Sequence, residues 1–236
     1  MCLVVIAHRA SSRYPLVIAA NRDEEYARAS NPAGWWDDGE VVGGRDALHG
    51  GSWLAMSTSG RFAAVTNLRG AVKPAAGQSR GALVSEFVRG NADTRSYADA
   101  IDVDAYGGFH LFLGRVGVDL AQLSGVVRPL EPGIHGLSNA PAEVVWPKVT
   151  TAIETMRGAL ESASATVMAE SLMRLLRLEP THGDPTRDLF IRGERYGTRA
   201  STVIIVDGRD VRFVEQNFAP RGVALGERIT VEFSLG

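Results

Sequence analysis

Apolar residues recur along this chain in two rhythms, and each rhythm predicts a different kind of element. Leu3, Val4, Val5 and Ile6 form a short β-branched run, a polar turn follows with Ser11, Ser12, Arg13 and Tyr14-Pro15, and Leu16 to Ala20 is apolar again. Two such runs about a turn predict a β-hairpin with both strands buried. Glycine and aspartate dominate from Gly34 to Gly51, interrupted by Val41 and Val42, which reads as a loop-rich connection. Trp53 to Met56 and Phe62 to Thr66 flank the turn Ser57-Thr58-Ser59-Gly60 and predict a second hairpin.

The rhythm then changes to one residue per helical turn. Leu83, Val84, Phe87 and Val88 predict a helix over Arg80 to Arg89. Phe109 to Leu113 returns to a strand pattern, with weaker strands over Ala121 to Val127. Pro147 suits the first turn of a helix whose face is Val149, Ile153 and Met156. A further amphipathic helix over Ala165 to Leu176 turns Val167, Leu172, Leu175 and Leu176 inward. Strands close the chain at Thr202 to Val206, Val211 to Glu215 and Ile229 to Phe233, with Asp207-Gly208 as a hairpin turn. Hairpins at both ends and helices between them predict an α+β fold of antiparallel sheets covered by helices. No repeat or linker divides the sequence, so one domain is expected over residues 1–236.

Composition narrows the function. Hydrophobic residues make up 45% of the 236, charged residues 22%, and the net charge is −2, which argues against a broad nucleic-acid or membrane surface. No run approaches the roughly 20 apolar residues of a membrane span. Residues 1–8 lack the basic start of a signal peptide, and a single cysteine makes no intramolecular disulfide. A cytoplasmic location is expected, with no nucleic-acid partner and no integral membrane segment. Phosphate-loop, dinucleotide and nucleophile-elbow motifs are absent, and the five histidines never stand at metal-ligand spacing. No catalytic metal or cofactor is expected.

The candidate chemistry lies at the N-terminus. Removal of Met1 would leave Cys2 with a free α-amine of pKa roughly 7.7–8, a general base for its own thiol. As a plain residue, Cys2 would be a small buried hydrophobe starting a strand. The hairpin returning from it ends in Asn21-Arg22-Asp23-Glu24, where Arg22 and Asp23 are expected to form an ion pair that orients the amine or thiol. Asn67 and Asn139 each close a strand-like segment, a place for oxyanion donors as well as for ordinary turn residues.

These residues resemble a known family. An Asn-Arg-Asp-Glu tetrapeptide after a Met-Cys strand, with Thr-Asn-Leu-Arg-Gly at 66–70, Tyr-Gly-Gly-Phe at 106–109, Gly-Leu-Ser-Asn at 136–139 and Tyr-Gly-Thr-Arg at 196–199, is similar to the NRDE, or transport and Golgi organisation, family. The resemblance implies a four-layer αββα sandwich of the N-terminal nucleophile (Ntn) hydrolase type. By similarity to that superfamily's cysteine amidases, Cys2 is the nucleophile, Arg22 and Asp23 orient it, Asn67 and Asn139 bind oxyanion and amine, and Arg199 is a late pocket arginine. Those amidases space the arginine and aspartate apart, so the division of roles among Asn21, Arg22 and Asp23 stays open.

The resemblance also implies a carrier, the first of two functions expected. Its cargo would be haem, or an acyl-coenzyme A or lipid, a hydrophobic small molecule bound through Cys2, Asn21, Arg69 and Lys73. Arg80 joins the last two as a phosphate-facing cluster whose plain reading is a solvated loop. Contact with membranes or ligand-donor proteins goes with that role. The alternative is an amide or thioester hydrolase with Cys2 as nucleophile.

Overall fold

A computed structural model describes residues 2–71, 77–141 and 143–236. The first half of the chain forms β1 (Leu3–His8), β2 (Leu16–Glu25), β3 (Ser30–Trp35), β4 (Val41–Asp46), β5 (Leu54–Ser57), β6 (Arg61–Asn67), α1 (Arg80–Arg89) and α2 (Thr94–Asp99). There follow β7 (Phe109–Arg115), β8 (Asp119–Ser124), β9 (Val126–Pro129), β10 (Gly133–Ser138), α3 (Pro147–Ala159) and α4 (Ala165–Leu175). The chain ends in β11 (Tyr196–Asp207), β12 (Asp210–Ala219) and β13 (Val223–Ser234).

The strands make two antiparallel sheets, ordered β10-β1-β2-β11-β12-β13 and β3-β4-β5-β6-β7-β8-β9. Successive side chains of a strand leave on opposite faces, and β1 and β2 are apolar on both. Val4, Ile6, Leu16, Ile18 and Ala20 enter a core between the sheets with Met56, Phe62 and Phe112. Leu3, Val5, Ala7, Val17 and Ala19 instead pack against Val149, Met156, Met168 and Leu172 of α3 and α4. A third core joins Leu111 and Leu113 to Val84 and Phe87 under α1. The layers therefore run helix, sheet, sheet, helix, and the expected αββα sandwich is what the chain forms.

Two readings of the sequence need correction. The stretch 34–51 contains β3's end and all of β4 rather than a loop. Its glycines serve clearance: a Cβ on Gly44 would stand 2.2 Å from the Trp53 ring, and one on Gly43 would stand 2.7 Å from the Leu54 carbonyl oxygen. Val167 is exposed, not inward. Ser164 caps α4 by accepting from the Val167 N–H, and at 100° per residue the buried Met168, Leu172 and Leu175 lie roughly 80–140° around the helix from Val167. The strand-like segment that Asn139 closes is β10, which pairs with β1 along its whole length. Among the described residues no helix is long and apolar enough to cross a membrane.

Candidate active site

Register places the candidate nucleophile. Leu3 stands opposite Asn21 on β2 and Ser138 on β10, so one position further Cys2 lies between Arg22 and Asn139. Directly opposed residues in antiparallel strands have Cα atoms roughly 4.5–5.5 Å apart. Cys2 is in phase with Val4 and Ile6 and so faces the space between the sheets. Its thiol is buried and donates to the main-chain carbonyl of Asp23 over 3.9 Å. Burial pushes the Cys2 pKa up, and the Asp23 carboxylate adds to this, while the N-terminal positive charge, the Asp23 main chain and the Arg22 charge oppose it.

Arg22 and Asp23 do not form the expected ion pair with each other, because neighbours on a strand leave on opposite faces. Arg22 turns toward the second sheet, its guanidinium 4.2 Å from the Trp53 ring centroid and its Nη1 donating to Ser30 Oγ at 3.3 Å. Burial lowers its pKa, against the pull of Glu24 and Cys2. Asp23 turns toward the helix side, where Oδ1 accepts from Thr198 Oγ1 at 2.7 Å. That hydroxyl in turn accepts from the Ile191 N–H at 2.9 Å.

The two asparagines, 72 residues apart in sequence, meet. Asn139 Nδ2 donates to the Asn67 main-chain carbonyl, and the Asn139 carbonyl accepts from the Arg69 N–H at 2.8 Å. His110 Nε2 lies 2.7 Å from the Ala140 carbonyl and fixes the same turn from β7. Asn139 Oδ1 is buried with no hydrogen-bond partner among the described residues.

Cys2, Arg22, Asp23 and Asn67 line one cavity with Trp53, Val65 and the first turn of α1 at Ser79, Arg80 and Gly81. Its volume is about 110 Å³, small against the roughly 300–1,000 Å³ of ordinary ligand pockets. The charged residues along its lining are Arg22, Arg28 and Arg80 with Asp23, Glu24 and Asp46. Arg28 is taken by Asp46 at 2.7 Å, whereas Arg80 donates to the Gly108 carbonyl at 3.3 Å. Among the described residues no cluster of three His, Cys, Asp or Glu could hold a metal ion.

Other expected site residues lie elsewhere. Asn21 faces α4, donating at 2.7 Å to both Leu176 and Leu189 carbonyls and accepting from Ser201 Oγ at 2.6 Å. Its side chain is a strut between sheet and helix layer, with its polar atoms already bonded. Arg199 is not among the residues lining the cavity. Its Nη1 donates at 3.0 Å to the carbonyls of Glu25, Tyr26 and Arg28, which clamps the turn between β2 and β3. Arg69 is exposed and meets the site through its main chain. Lys73 lies outside the described residues.

Two residues escaped the sequence reading. Trp53 gives Arg22 its surface; an aromatic at a strand start was its signal. Lys148, at the second position of α3, is completely buried, with no hydrogen-bond partner for Nζ among the described residues. A lysine directly after the helix-starting Pro147 opposes the helix dipole, and that was legible.

Residues 1–220 match the family model described as Transport and Golgi organisation 2. The chain is 31% identical to the human Transport and Golgi organization protein 2 homolog, over 94% of this chain and 93% of that protein. It is 28% identical to the Drosophila melanogaster Transport and Golgi organization protein 2, over 86% of each. Its fold is similar to a mutant conjugated bile acid hydrolase from Clostridium perfringens, with TM-score 0.57, 6% identity, and 98% of this chain and 92% of that one covered. A Caenorhabditis elegans N-acylethanolamine-hydrolyzing acid amidase ortholog gives TM-score 0.52 and 12% identity, over 86% of this chain and 92% of that one. These are Ntn hydrolases, so the sandwich is of that type, and the chain belongs to the Transport and Golgi organisation 2 family.

Proposed function

We propose that this protein is an N-terminal cysteine hydrolase of small acyl amides or thioesters, with Cys2 as nucleophile. The observation that carries this reading is the narrow, polar cavity in which the Cys2 thiol sits beside Arg22 and Asn67. A haem or long acyl chain asks for a wide apolar slot, whereas the apolar walls here are chiefly Trp53 and Val65. The likeness to two amide hydrolases supports the fold's suitability for this chemistry and nothing finer.

In the proposed reaction Met1 is first removed. The neutral α-amine of Cys2 takes the thiol proton, and the thiolate attacks the substrate carbonyl carbon to form a C–S bond. Asn67 donates to the resulting oxyanion. Asn139 spends one Nδ2 hydrogen on the Asn67 carbonyl, and its unfilled Oδ1 is suited to accept an N–H of the α-amine. Collapse breaks the C–N or C–S bond, and the ammonium returns its proton to the leaving group. Water then attacks the thioester, releasing a carboxylic acid and the thiol. Arg22, with no carboxylate in contact among the described residues, holds the polar end of the substrate.

The test combines mass and turnover. Intact mass of protein from its own cell should show Met1 absent. Against panels of N-acyl amino acids and acyl thioesters, wild type should release product, and Cys2→Ala should lose activity by on the order of 10⁴-fold or more with affinity little changed. No release and no acyl adduct, together with saturable binding of haemin or a long-chain acyl-coenzyme A to both forms, would replace this reading with the carrier.

A further inference from the structure

The end of β10 is stitched to the opposite sheet through three consecutive carbonyls. Thr66 Oγ1 donates to the Ser138 carbonyl at 3.2 Å, the Arg69 N–H donates to that of Asn139 at 2.8 Å, and His110 Nε2 lies 2.7 Å from that of Ala140. Thr66 and His110 stand opposite each other on β6 and β7, so both side chains leave the second sheet on the same face. Both are buried. The His110 ring is held at its other end as well. Its Nδ1 lies 2.8 Å from Ser124 Oγ on β8, and that oxygen accepts from Gln122 Nε2 at 2.8 Å. A carbonyl oxygen can only accept, so Nε2 carries a hydrogen. In the neutral ring Nδ1 is then an acceptor, and Ser124, whose oxygen takes a hydrogen from Gln122, gives its own to Nδ1. The bonds run one way, from Gln122 through Ser124 and His110 to Ala140, and they determine the tautomer. Burial lowers the His110 pKa, against the bond to the Ala140 carbonyl and the Glu143 charge, and keeps the ring neutral.

We propose that His110 is a positioning residue for Asn139: locked as the Nε2–H tautomer by Ser124 and Gln122, it holds the end of β10 against the second sheet and so keeps the Asn139 side chain in place beside Cys2. β10 is the edge of its sheet, and its pairing with β1 ends at Ser138 opposite Leu3. Asn139 is the next residue, where the chain leaves the sheet. Its side chain has one bond of its own among the described residues, from Nδ2 to the Asn67 carbonyl, and its Oδ1 is unfilled. The restraint on Asn139 therefore comes from the main chain around it, and the Ala140 carbonyl on its far side is held by His110. With both ring nitrogens engaged, His110 takes no proton from Cys2 chemistry. Its part is geometric, and a fully satisfied buried network supplies the rigidity that part requires.

The inference gives the proposed hydrolase a positioning residue and rests on that reading, but its test needs no substrate. In [¹⁵N]histidine-labelled protein at neutral pH, His110 should show a protonated Nε2 and a bare Nδ1, and a protonated Nδ1 overturns the proposal. His110→Gln keeps an N–H donor near the Nε2 position, whereas His110→Phe keeps a ring and loses the donor. In His110→Phe the Asn139 side-chain amide should exchange with solvent about tenfold faster, the fold-change of one lost hydrogen bond, and in His110→Gln it should stay within about twofold of wild type. Asn21, whose amide is bonded to the Leu176 and Leu189 carbonyls on the helix side, is the internal control and should not change. Wild-type exchange at Asn139 in His110→Phe, equal acceleration at Asn21, or equal acceleration in both variants each overturns the proposal. Ser124→Ala removes only the hydrogen given to Nδ1 and should speed Asn139 exchange about threefold. Unchanged exchange there overturns the proposal even if His110→Phe does not fold. If wild type hydrolyses an acyl thioester, His110→Phe should lower kcat about tenfold with KM little changed. An inert wild type sinks the hydrolase reading, while amide exchange still decides the role of His110.

Discussion

Glu215 and Lys148 are both charged side chains without exposed surface, and their surroundings could hardly differ more. Glu215 lies between the sheets. It accepts from the Ala33 N–H at 2.8 Å, Asn217 Nδ2 at 3.0 Å and Thr202 Oγ1 at 3.0 Å. It therefore fastens β3 of one sheet to β11 and β12 of the other. At the Cys2 end, Lys148 Nζ and Asn139 Oδ1 are buried with no such partners among the described residues. Buried polar groups in native proteins are normally satisfied, and each exception asks for a reason. Polar burial at Glu215 holds layers together; at Cys2 it leaves hydrogen-bonding capacity where a reacting group and its charges must change.

The contrast can be broken by mutation. Glu215→Ala strands three donors, two of them buried, and we expect a loss of about 3–5 kcal/mol in urea unfolding. Burial raises the Glu215 pKa in the folded protein. The folded state then binds its proton more tightly than the unfolded state, so this group's contribution falls as pH rises from the ordinary carboxylate value through the raised one. Glu215→Gln should flatten that part of the stability–pH curve, and an unchanged slope would place the titration elsewhere.

Asn139→Ala probes the unfilled side. Turnover should fall about 10²–10³-fold, in the range for loss of one preorganised polar group at a reacting centre. Stability should change by about 1 kcal/mol, for the lost bond to the Asn67 carbonyl. The opposite pattern would make Asn139 a structural residue like Glu215. Arg199→Met is the mildest change. Losing the three carbonyl bonds of the β2–β3 turn should cost about 1–2 kcal/mol in thermal or urea unfolding, while Cys2 alkylation keeps its wild-type rate.

Much of this was legible in sequence, for identifiable reasons. The β1–β2 hairpin announces itself because both faces of both strands are buried, which leaves unbroken apolar runs. β4 hides because Gly43 and Gly44 make room for Leu54 and Trp53, and glycine alone reads as loop. Val167 is apolar but stands well away from Met168, Leu172 and Leu175 around the helix, so hydrophobicity alone placed it on the wrong face. At the site, Cys2 and Arg22 were within reach of one-dimensional reasoning. The meeting of Asn67 with Asn139 depends on β10 lying beside β1. Adjacency in sequence suggested contact between Arg22 and Asp23, whereas in a strand it means separation by the thickness of the sheet.

That separation limits how the gene can vary in length. In β2 the side-chain period is two, so one residue inserted or deleted between Leu16 and Arg22 would exchange the two faces. Asp23 would then be presented to the thiol and the Trp53 face, while Arg22 would be driven in beside buried Lys148, cation against cation. The turn at 9–15 stands before this stretch and the turn at 26–29 beyond it, and length changes there leave the parity of β2 intact. Functional members of the family should therefore carry their insertions and deletions in those turns and keep the count from Leu16 to Asp23 constant. A systematic single-residue deletion scan should show a sharp block of intolerance over those eight positions.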